Sequence, residues 1–228
     1  MENLAVSPFV LISYLDNLVP MTIKIKVFSD YVCPYCFLAE FPLLEAIKGK
    51  DVEVEWMPFE LRPLPQPTLK PEENYLQSVW RQSVYPLAEK MGVEIKLPSI
   101  SPQPYTHLAF EGYQYAKEHA KANEYNDRIL RAFFQEDQDI GNIGILTTLA
   151  GEIGLHEKEF EESLKARRYE IVHQQALAHA REEISINSVP TFMIGERIMS
   201  GLLSKEKLER EINAAFEGNI DSILNLPI

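Results

Sequence analysis

Residues 29–36 read Ser-Asp-Tyr-Val-Cys-Pro-Tyr-Cys and lie where a strand pattern changes into a helix pattern. Apolar residues alternate with lysines from Ile23 to Ser29, which is the period of two that predicts a β-strand. Beyond the cysteines, apolar residues recur one turn apart until a glycine, so a helix is predicted from about Pro34 to Lys48. Val52 to Met57 alternates again and predicts a second strand. The order is β-α-β, with Cys-x-x-Cys at the strand-to-helix junction.

The position of the two cysteines favours redox chemistry. A thiol in the first turn of a helix faces unpaired N–H groups and the positive end of the helix dipole, which favour the reactive thiolate. Cys33 has this position. Cys36 follows three residues later on the same helical face, where it can attack a mixed disulfide formed at Cys33. Two ordinary buried cysteines are the alternative interpretation, and the β-α placement makes it the weaker one.

A long helical region separates this unit from a second block of strands. Five prolines from Pro58 to Pro71 predict an extended loop. Helical patterns follow over residues 72–91, 105–122, 127–134, 143–153, 157–164 and 169–184. Strand patterns return at Ile186 and include Phe192 to Ile194 and Arg197 to Met199, joined by a Gly-Glu turn. A last helix follows, with Ser204 as its candidate cap and Gly218 as its predicted end.

Composition excludes several classes of function. The 228 residues are 46% hydrophobic, which is typical of a soluble globular chain that buries its own core. Acidic residues outnumber basic ones by 34 to 22, and the net charge of −12 repels nucleic-acid phosphates and anionic membrane surfaces. Cys33 and Cys36 are the only cysteines, so a zinc ribbon is excluded and no metal site is predicted.

The first twenty residues are interpreted as an N-terminal extension. The apolar stretch Phe9 to Leu15 has no Lys or Arg before it and no small-residue cleavage site after it. Asp16 interrupts it well before the roughly 18 apolar residues that a membrane helix needs. We therefore expect a cytoplasmic protein that does not enter a membrane. Met21 directly precedes the first strand, so residues 1–20 are expected to lie outside the catalytic fold.

Three segments resemble one protein family. Residues 29–36 resemble the active-site segment of the DsbA-like thioredoxin-fold proteins, in particular the S-D-x-x-C-P-x-C motif of the FrnE branch. Val189-Pro190-Thr191 resembles the cis-proline loop of that family, and Ser200-Gly201 resembles its closing β-β-α turn. The resemblance extends from Met21 to about Gly218.

The fold implied is α/β, namely a thioredoxin-like fold with a large all-helical insertion between its β-α-β and β-β-α halves. Residues 21–58 and 186–228 are assigned to the thioredoxin-like domain and residues 59–185 to the insertion, which is expected to pack over the active-site side.

The resemblance also implies a protein disulfide oxidoreductase. Cys33 is then the nucleophile and Cys36 the resolving thiol, Pro34 and Tyr35 tune their reactivity, and Val189, Pro190 and Thr191 contact the substrate. The cofactor is the redox-active Cys33–Cys36 disulfide itself, and glutathione stays open as a co-substrate. The implied partners are protein or small-molecule thiols and disulfides, and a homodimer is compatible with the sequence. The dipeptide between the cysteines is Pro-Tyr, as in glutaredoxins. It implies that this protein is a weaker oxidant than the DsbA proteins that carry a histidine between their cysteines.

Two other functions remain open. The same architecture occurs in 2-hydroxychromene-2-carboxylate isomerases and kappa-class glutathione transferases, which activate glutathione with a serine at the position of Cys33. A peptide-binding chaperone that uses the insertion as a groove is the non-enzymatic alternative. Tyr31, Tyr35, Phe37, Trp80 and Tyr105 fit either the wall of a groove or the core.

Overall fold

Two blocks that contain all the strands lie at the ends of the described chain. The computed structural model describes residues 22–224, with side chains up to residue 218. The first block consists of β1 (Ile23–Ser29), α1 (Pro34–Ile47) and β2 (Val52–Pro58). The second consists of β3 (Thr191–Ile194), β4 (Arg197–Ser200) and α9 (Lys205–Leu224). The β-α-β and β-β-α halves that the sequence predicts are therefore both present.

The chain between the two blocks is helical. Its helices are α2 (Asn74–Val79), α3 (Tyr85–Met91), α4 (His107–Glu118), α5 (Ala122–Phe134), α6 (Ile143–Glu152), α7 (Glu157–Lys165) and α8 (Glu170–Ala178). Two π-helical turns interrupt the α-helical geometry: Trp80–Val84 joins α2 to α3, and His179–Glu183 follows α8. The predicted cap of α6 is present, because the Asn142 side chain accepts hydrogen bonds from the backbone N–H groups of Gly144 and Ile145.

The four strands form one mixed sheet in the order β2-β1-β3-β4. β1 runs parallel to β2, with Val27 opposite Trp56, and antiparallel to β3, with Val27 opposite Phe192. β4 pairs antiparallel with β3. Because the active-site motif begins directly after β1, it lies at the end of a central strand. This architecture is thioredoxin-like with a helical insertion, as predicted.

Helices α1 and α9 share one core with one face of the sheet. Ile25, Val27 and Ile194 are at most 2% exposed and belong to the same apolar cluster as Leu38 of α1 and Leu208 of α9. Burying each such side chain contributes about 1.5–3 kcal/mol relative to leaving it exposed. α1 also packs against the insertion, which fixes the active-site helix from two sides. One such contact is between the rings of Phe37 and Phe134, whose centroids lie 5.5 Å apart.

Three details differ from the sequence-based expectations or lie beyond the description. α5 begins at Ala122 and not near Asp127. α9 continues to Leu224, so the prediction that Gly218 ends it is wrong. A glycine inside a helix costs only about 0.5–1 kcal/mol, and a helix already anchored in the core continues through it. The predicted extension, residues 1–20, lies outside the described residues.

Candidate active site

Cys33 caps the N-terminus of α1. Its backbone is extended, and its carbonyl accepts hydrogen bonds from the N–H groups of Cys36 (3.0 Å) and Phe37 (3.3 Å). Its own N–H donates to the carbonyl of Asp30 at 3.0 Å. Pro34 occupies the first turn of the helix, where the N–H that proline lacks would have no helical partner. These contacts hold the Cys33 thiol at the helix N-terminus.

The two thiols are free but not equivalent. Cys33 is 5% exposed and Cys36 only 1%. Burial raises the pKa of the Cys36 thiol well above its usual value, and contact with Cys33 raises it further, against a smaller opposing effect of Ser29 and of the Asp30 backbone. Because thiolate is the attacking form, Cys36 is suited to act second, inside the protein, after a substrate has reacted at Cys33.

The loop that precedes β3 lies beside Cys33. The Cys33 Sγ donates to the carbonyl of Val189 across 3.9 Å, and the Val189–Pro190 peptide is cis. The Pro190 carbonyl accepts a hydrogen bond from the N–H of Gly201 at 2.8 Å. Thr191 is fully buried, and its hydroxyl donates to the Ser188 carbonyl at 2.7 Å. The Thr191 side chain therefore stabilises this loop from within, and the Val189 carbonyl is the group of these three residues that contacts the Cys33 thiol.

A groove of about 320 Å³ opens at Cys33, between the active-site motif and the insertion. Its walls come from four parts of the chain: Val32, Cys33, Pro34 and Tyr35; Leu61, Arg62, Gln66 and Leu69; Tyr75, Leu76, Val79 and Trp80; and Gln103. A larger cavity of about 710 Å³ lies at the opposite end of β1, near Thr22 and Arg197, and includes neither cysteine. Residues of the insertion therefore form much of the groove wall beside Cys33.

The five aromatic residues that fit either a groove wall or the core lie in different parts of the structure. Tyr35 lines the groove, and so does Trp80, which is also a buried core residue; Tyr31 and Phe37 are buried in the core and do not line the groove. Tyr105 lies at another cavity, beside His107. The Tyr35 hydroxyl lies 2.7 Å from the hydroxyl of Ser83, so the active-site dipeptide is bonded to the insertion.

Buried acidic groups lie beneath the groove. The carboxylate of Asp30 accepts a hydrogen bond from the N–H of Leu61 at 2.7 Å, which fixes the groove wall to the active-site motif. Burial raises the pKa of Asp30 to about 6, although the Leu61 hydrogen bond opposes this. The neighbouring Glu60 lies 2.6 Å from Nε2 of His173, so this histidine is a hydrogen-bonded core residue. Among the described residues, no cluster of three or more His, Cys, Asp or Glu side chains is arranged to hold a metal ion.

Sequence reasoning missed most of the groove wall. Leu61 and Arg62 belong to a proline-rich loop without periodicity, and Gln103 lies about forty residues further along the chain. No role of its own was predicted for the Asp30 side chain within the motif at residues 29–36. The position of Asp30 three residues before Cys33 was the one available signal, since it places a carboxylate next to the helix N-terminus.

A family model described as "DSBA-like thioredoxin domain" matches residues 24–213, which include the sheet, the insertion and both cysteines. The chain belongs to this family. YwbO, an uncharacterized protein of Bacillus subtilis, is 55% identical over 194 residues, which cover 85% of this chain and 97% of YwbO.

Solved structures share the fold at low identity. A probable DsbA oxidoreductase of Streptomyces coelicolor superimposes with a TM-score of 0.70 at 18% identity, over 90% of this chain and 92% of its own. A 2-hydroxychromene-2-carboxylate isomerase superimposes with a TM-score of 0.67 at 14% identity, over 90% of this chain and 100% of its own. The cytosolic disulfide reductase DsbM of Pseudomonas aeruginosa, solved with glutathione, superimposes with a TM-score of 0.61 at 18% identity, over 89% of this chain and 100% of its own. Among the described residues of this chain, no helix is long and apolar enough to cross a membrane.

Proposed function

We propose that this DsbA-like protein is a thiol–disulfide oxidoreductase in which Cys33 is the nucleophile and Cys36 the resolving thiol. The observation that carries the proposal is the placement of the Cys33 thiol, which lies at the N-terminus of α1, contacts the Val189 carbonyl and borders an open groove. A nucleophilic thiol needs a positive local field and access to its substrate, and this position supplies both. The motif at residues 29–36 supports the FrnE branch of the family.

The reductive cycle has two exchange steps. In the first, the thiolate of Cys33 attacks a substrate disulfide, the substrate S–S bond breaks, and one substrate thiolate leaves and takes up a proton. In the second, Cys36 loses its proton and attacks the Cys33 sulfur, which releases the second substrate thiol and forms the Cys33–Cys36 disulfide. Two electrons pass from the dithiol to the substrate. The same steps in reverse oxidise a substrate dithiol.

Single-cysteine variants test the two roles. Reduction of insulin disulfides by the purified protein, with dithiothreitol as the electron donor, is expected to fall to background in Cys33→Ser. Cys36→Ser is expected to keep the first step and to accumulate a mixed disulfide at Cys33, visible as an added mass that reductant removes. Turnover by Cys33→Ser at the wild-type rate would overturn the assignment.

The surroundings of the site support further details of the proposal. Val189 and Pro190 form the substrate-contacting loop, and Pro34 and Tyr35 tune the dithiol. The cycle needs no cofactor other than the Cys33–Cys36 pair. The absence of a membrane-crossing helix from the described chain and the fold shared with a cytosolic reductase are compatible with a cytoplasmic reductase or isomerase.

A glutathione-dependent isomerase is the second candidate, favoured by the shared fold of the 2-hydroxychromene-2-carboxylate isomerase. Such an enzyme activates glutathione without a dithiol cycle. Isomerisation of 2-hydroxychromene-2-carboxylate that requires glutathione and survives Cys36→Ser would favour it over the oxidoreductase. A peptide-binding chaperone would still suppress aggregation after both cysteines are replaced by serine.

A further inference from the structure

The carbonyl group of Val189 acts directly on the Cys33 sulfur. The Cys33 Sγ donates a hydrogen bond to it across 3.9 Å. A carbonyl oxygen carries partial negative charge, so it stabilises the protonated thiol and opposes the thiolate. The N-terminus of α1 has the opposite effect. The reactivity of Cys33 therefore depends on how firmly the Val189 carbonyl is held beside it.

Two hydroxyl groups hold the chain on the N-terminal side of Val189. Thr191 is fully buried, and its hydroxyl donates to the Ser188 carbonyl at 2.7 Å. The Ser200 hydroxyl lies 2.8 Å from the Thr191 hydroxyl. A hydroxyl has one proton to donate and two lone pairs that accept, so Thr191 can bond both partners at once. This hydroxyl pair ties the peptide group before Val189 to the end of β4.

A backbone hydrogen bond holds the chain on the other side of Val189. The Pro190 carbonyl accepts it from the N–H of Gly201 at 2.8 Å. Gly201 has a φ of +89°, a conformation that glycine adopts without strain. The peptide groups before and after the Val189–Pro190 peptide are thus both anchored at the end of β4. This arrangement leaves the Val189 carbonyl little freedom to turn away from Cys33.

We propose that the hydroxyl pair of Thr191 and Ser200 is a positioning element that holds the Val189 carbonyl against the Cys33 sulfur and thereby limits the reactivity of this thiol. The inference rests on the proposed function, in which Cys33 is the nucleophile, and it names the residues that set the rate of its attack. Only the thiolate attacks a disulfide, so a carbonyl that favours the thiol slows this step. Thr191 and Ser200 act through Val189 rather than on the sulfur itself.

The test measures the second-order rate constant for alkylation of Cys33 by iodoacetamide. All proteins carry Cys36→Ser, so Cys33 is the only thiol, and the reaction needs no disulfide substrate. Thr191→Val removes the hydroxyl at nearly constant volume. It is expected to raise the rate at pH 7 about three- to tenfold, the effect of losing one hydrogen bond to the thiol. Thr191→Ser keeps the hydroxyl and should stay within about twofold of the parent protein.

Ser200→Ala tests the other member of the pair. Ser200 is exposed, so its replacement is not expected to disturb folding. It should raise the alkylation rate less than Thr191→Val does, because the bond between Thr191 and Ser188 remains. The double variant should exceed Thr191→Val by less than about twofold, since both changes release the same carbonyl.

Ser163→Ala is the matched control for Thr191→Val. Ser163 is fully buried in α7, and its hydroxyl donates to the Phe160 carbonyl at 2.7 Å. Thr191 makes the same kind of bond with the carbonyl three residues before it. Urea unfolding should therefore show a similar loss of stability in both variants, whereas the alkylation rate of Ser163→Ala should stay within about twofold of the parent protein.

The pH profile separates the effect of the carbonyl from that of access to the thiol. A cysteine is largely thiolate at pH 10, so the advantage of Thr191→Val over the parent protein should disappear there. A thiol that had merely become more accessible would react faster at both pH values. The other charged or titratable side chains beside Cys33 are common to all variants: Asp30, Tyr35 and Arg62.

The outcomes separate the inference from the proposed function. The inference is overturned if Thr191→Val gains less than about twofold at pH 7, if its gain is the same at pH 10, or if Thr191→Ser is equally fast. The dithiol cycle stands in each of these cases. If the alkylation rates change as expected but the protein with both cysteines does not reduce insulin, the positioning role stands and the proposed function fails.

Discussion

The hydroxyl groups of Tyr35 and Ser83 lie 2.7 Å apart and join the active-site dipeptide to the insertion. Ser83 belongs to the π-helical turn Trp80–Val84, and Trp80 at its start lines the groove. A π-helical turn inserts an extra residue into a helix and is often found at functional sites. This contact therefore couples the position of one groove wall to the dithiol motif.

A double-mutant cycle measures this coupling. Tyr35→Phe and Ser83→Ala each remove one hydroxyl, and each is expected to lower the free energy of unfolding by about 0.5–1.5 kcal/mol. The double variant should lose less than the sum, because both changes remove the same hydrogen bond. Urea unfolding of the four proteins gives the coupling energy. The control is Tyr35→Phe combined with Ser78→Ala, whose losses in free energy of unfolding should add up. If the losses of Tyr35→Phe and Ser83→Ala also add up, the hydrogen bond between them contributes nothing to stability.

The dipeptide between the cysteines predicts the redox potential. A helix N-terminus stabilises a thiolate by on the order of 1 kcal/mol, and neither Pro34 nor Tyr35 adds a positive charge. For a two-electron couple about 30 mV corresponds to roughly 1.4 kcal/mol, so we expect the Cys33–Cys36 pair near −180 to −230 mV, in the range of glutaredoxins and disulfide isomerase. Equilibration with glutathione redox buffers, followed by alkylation of free thiols, gives the value. A potential near −120 mV would identify a strong oxidant instead.

The sequence predicts the scaffold and the dithiol because both depend on local patterns. Period-two alternation marks β1 and β2, helical spacing marks α1, and the cysteines are only three residues apart. The caps of α6 and α9 follow from single residues, and the Ser204 side chain accepts a hydrogen bond from the Lys207 N–H at 3.3 Å. Each of these features is determined within a few residues of the chain.

The groove wall depends on tertiary contacts that no local pattern records. Leu61 is held by Asp30, thirty-one residues earlier, and Gln103 is brought to Cys33 by the packing of the insertion. The π-helical turns are equally hidden, since a single extra residue in a turn leaves the apolar spacing of a helix almost unchanged. The sequence therefore reveals the dithiol but not the residues that form the groove beside it.

Glu40 predicts a pH dependence of stability. This α1 carboxyl is 3% exposed, and burial, with Asp127 nearby, raises its pKa from 4.5 to about 8. The folded state therefore binds a proton that the unfolded state releases, so the contribution of Glu40 to stability is complete below pH 4.5 and is lost as pH rises towards 8. Glu40→Gln removes this loss while its amide oxygen can still accept the hydrogen bond of Asn126. Urea unfolding should show the variant more stable than wild type above pH 8, by several kcal/mol.

The control for Glu40 lies on the same helix. Glu45 is exposed, so Glu45→Gln should change stability by less than about 0.5 kcal/mol at any pH. Equal pH dependence of Glu40→Gln and wild type would show that Glu40 does not titrate as its burial implies.

Asp30 predicts a second pH effect, closer to the dithiol. Its pKa is raised from 3.8 to about 6, so the folded state favours its protonated form. Its stabilising effect is complete below about pH 4 and is lost as pH rises through 6. The shift of roughly two pH units corresponds to about 3 kcal/mol. Asp30→Asn keeps an oxygen that can accept the Leu61 hydrogen bond, and it should exceed wild type in unfolding free energy by up to this amount at pH 8.

The comparison with wild type at two pH values isolates Asp30, because all other titrating groups are common to both proteins. The difference in unfolding free energy between Asp30→Asn and wild type should be small at pH 4 and largest at pH 8. Asp51→Asn is the matched control, since Asp51 is exposed before β2, where its carboxylate accepts a hydrogen bond from Thr22. If Asp30→Asn instead loses stability equally at both pH values, the carboxylate serves only as the acceptor that fixes Leu61, and the groove wall depends on its geometry rather than on its charge.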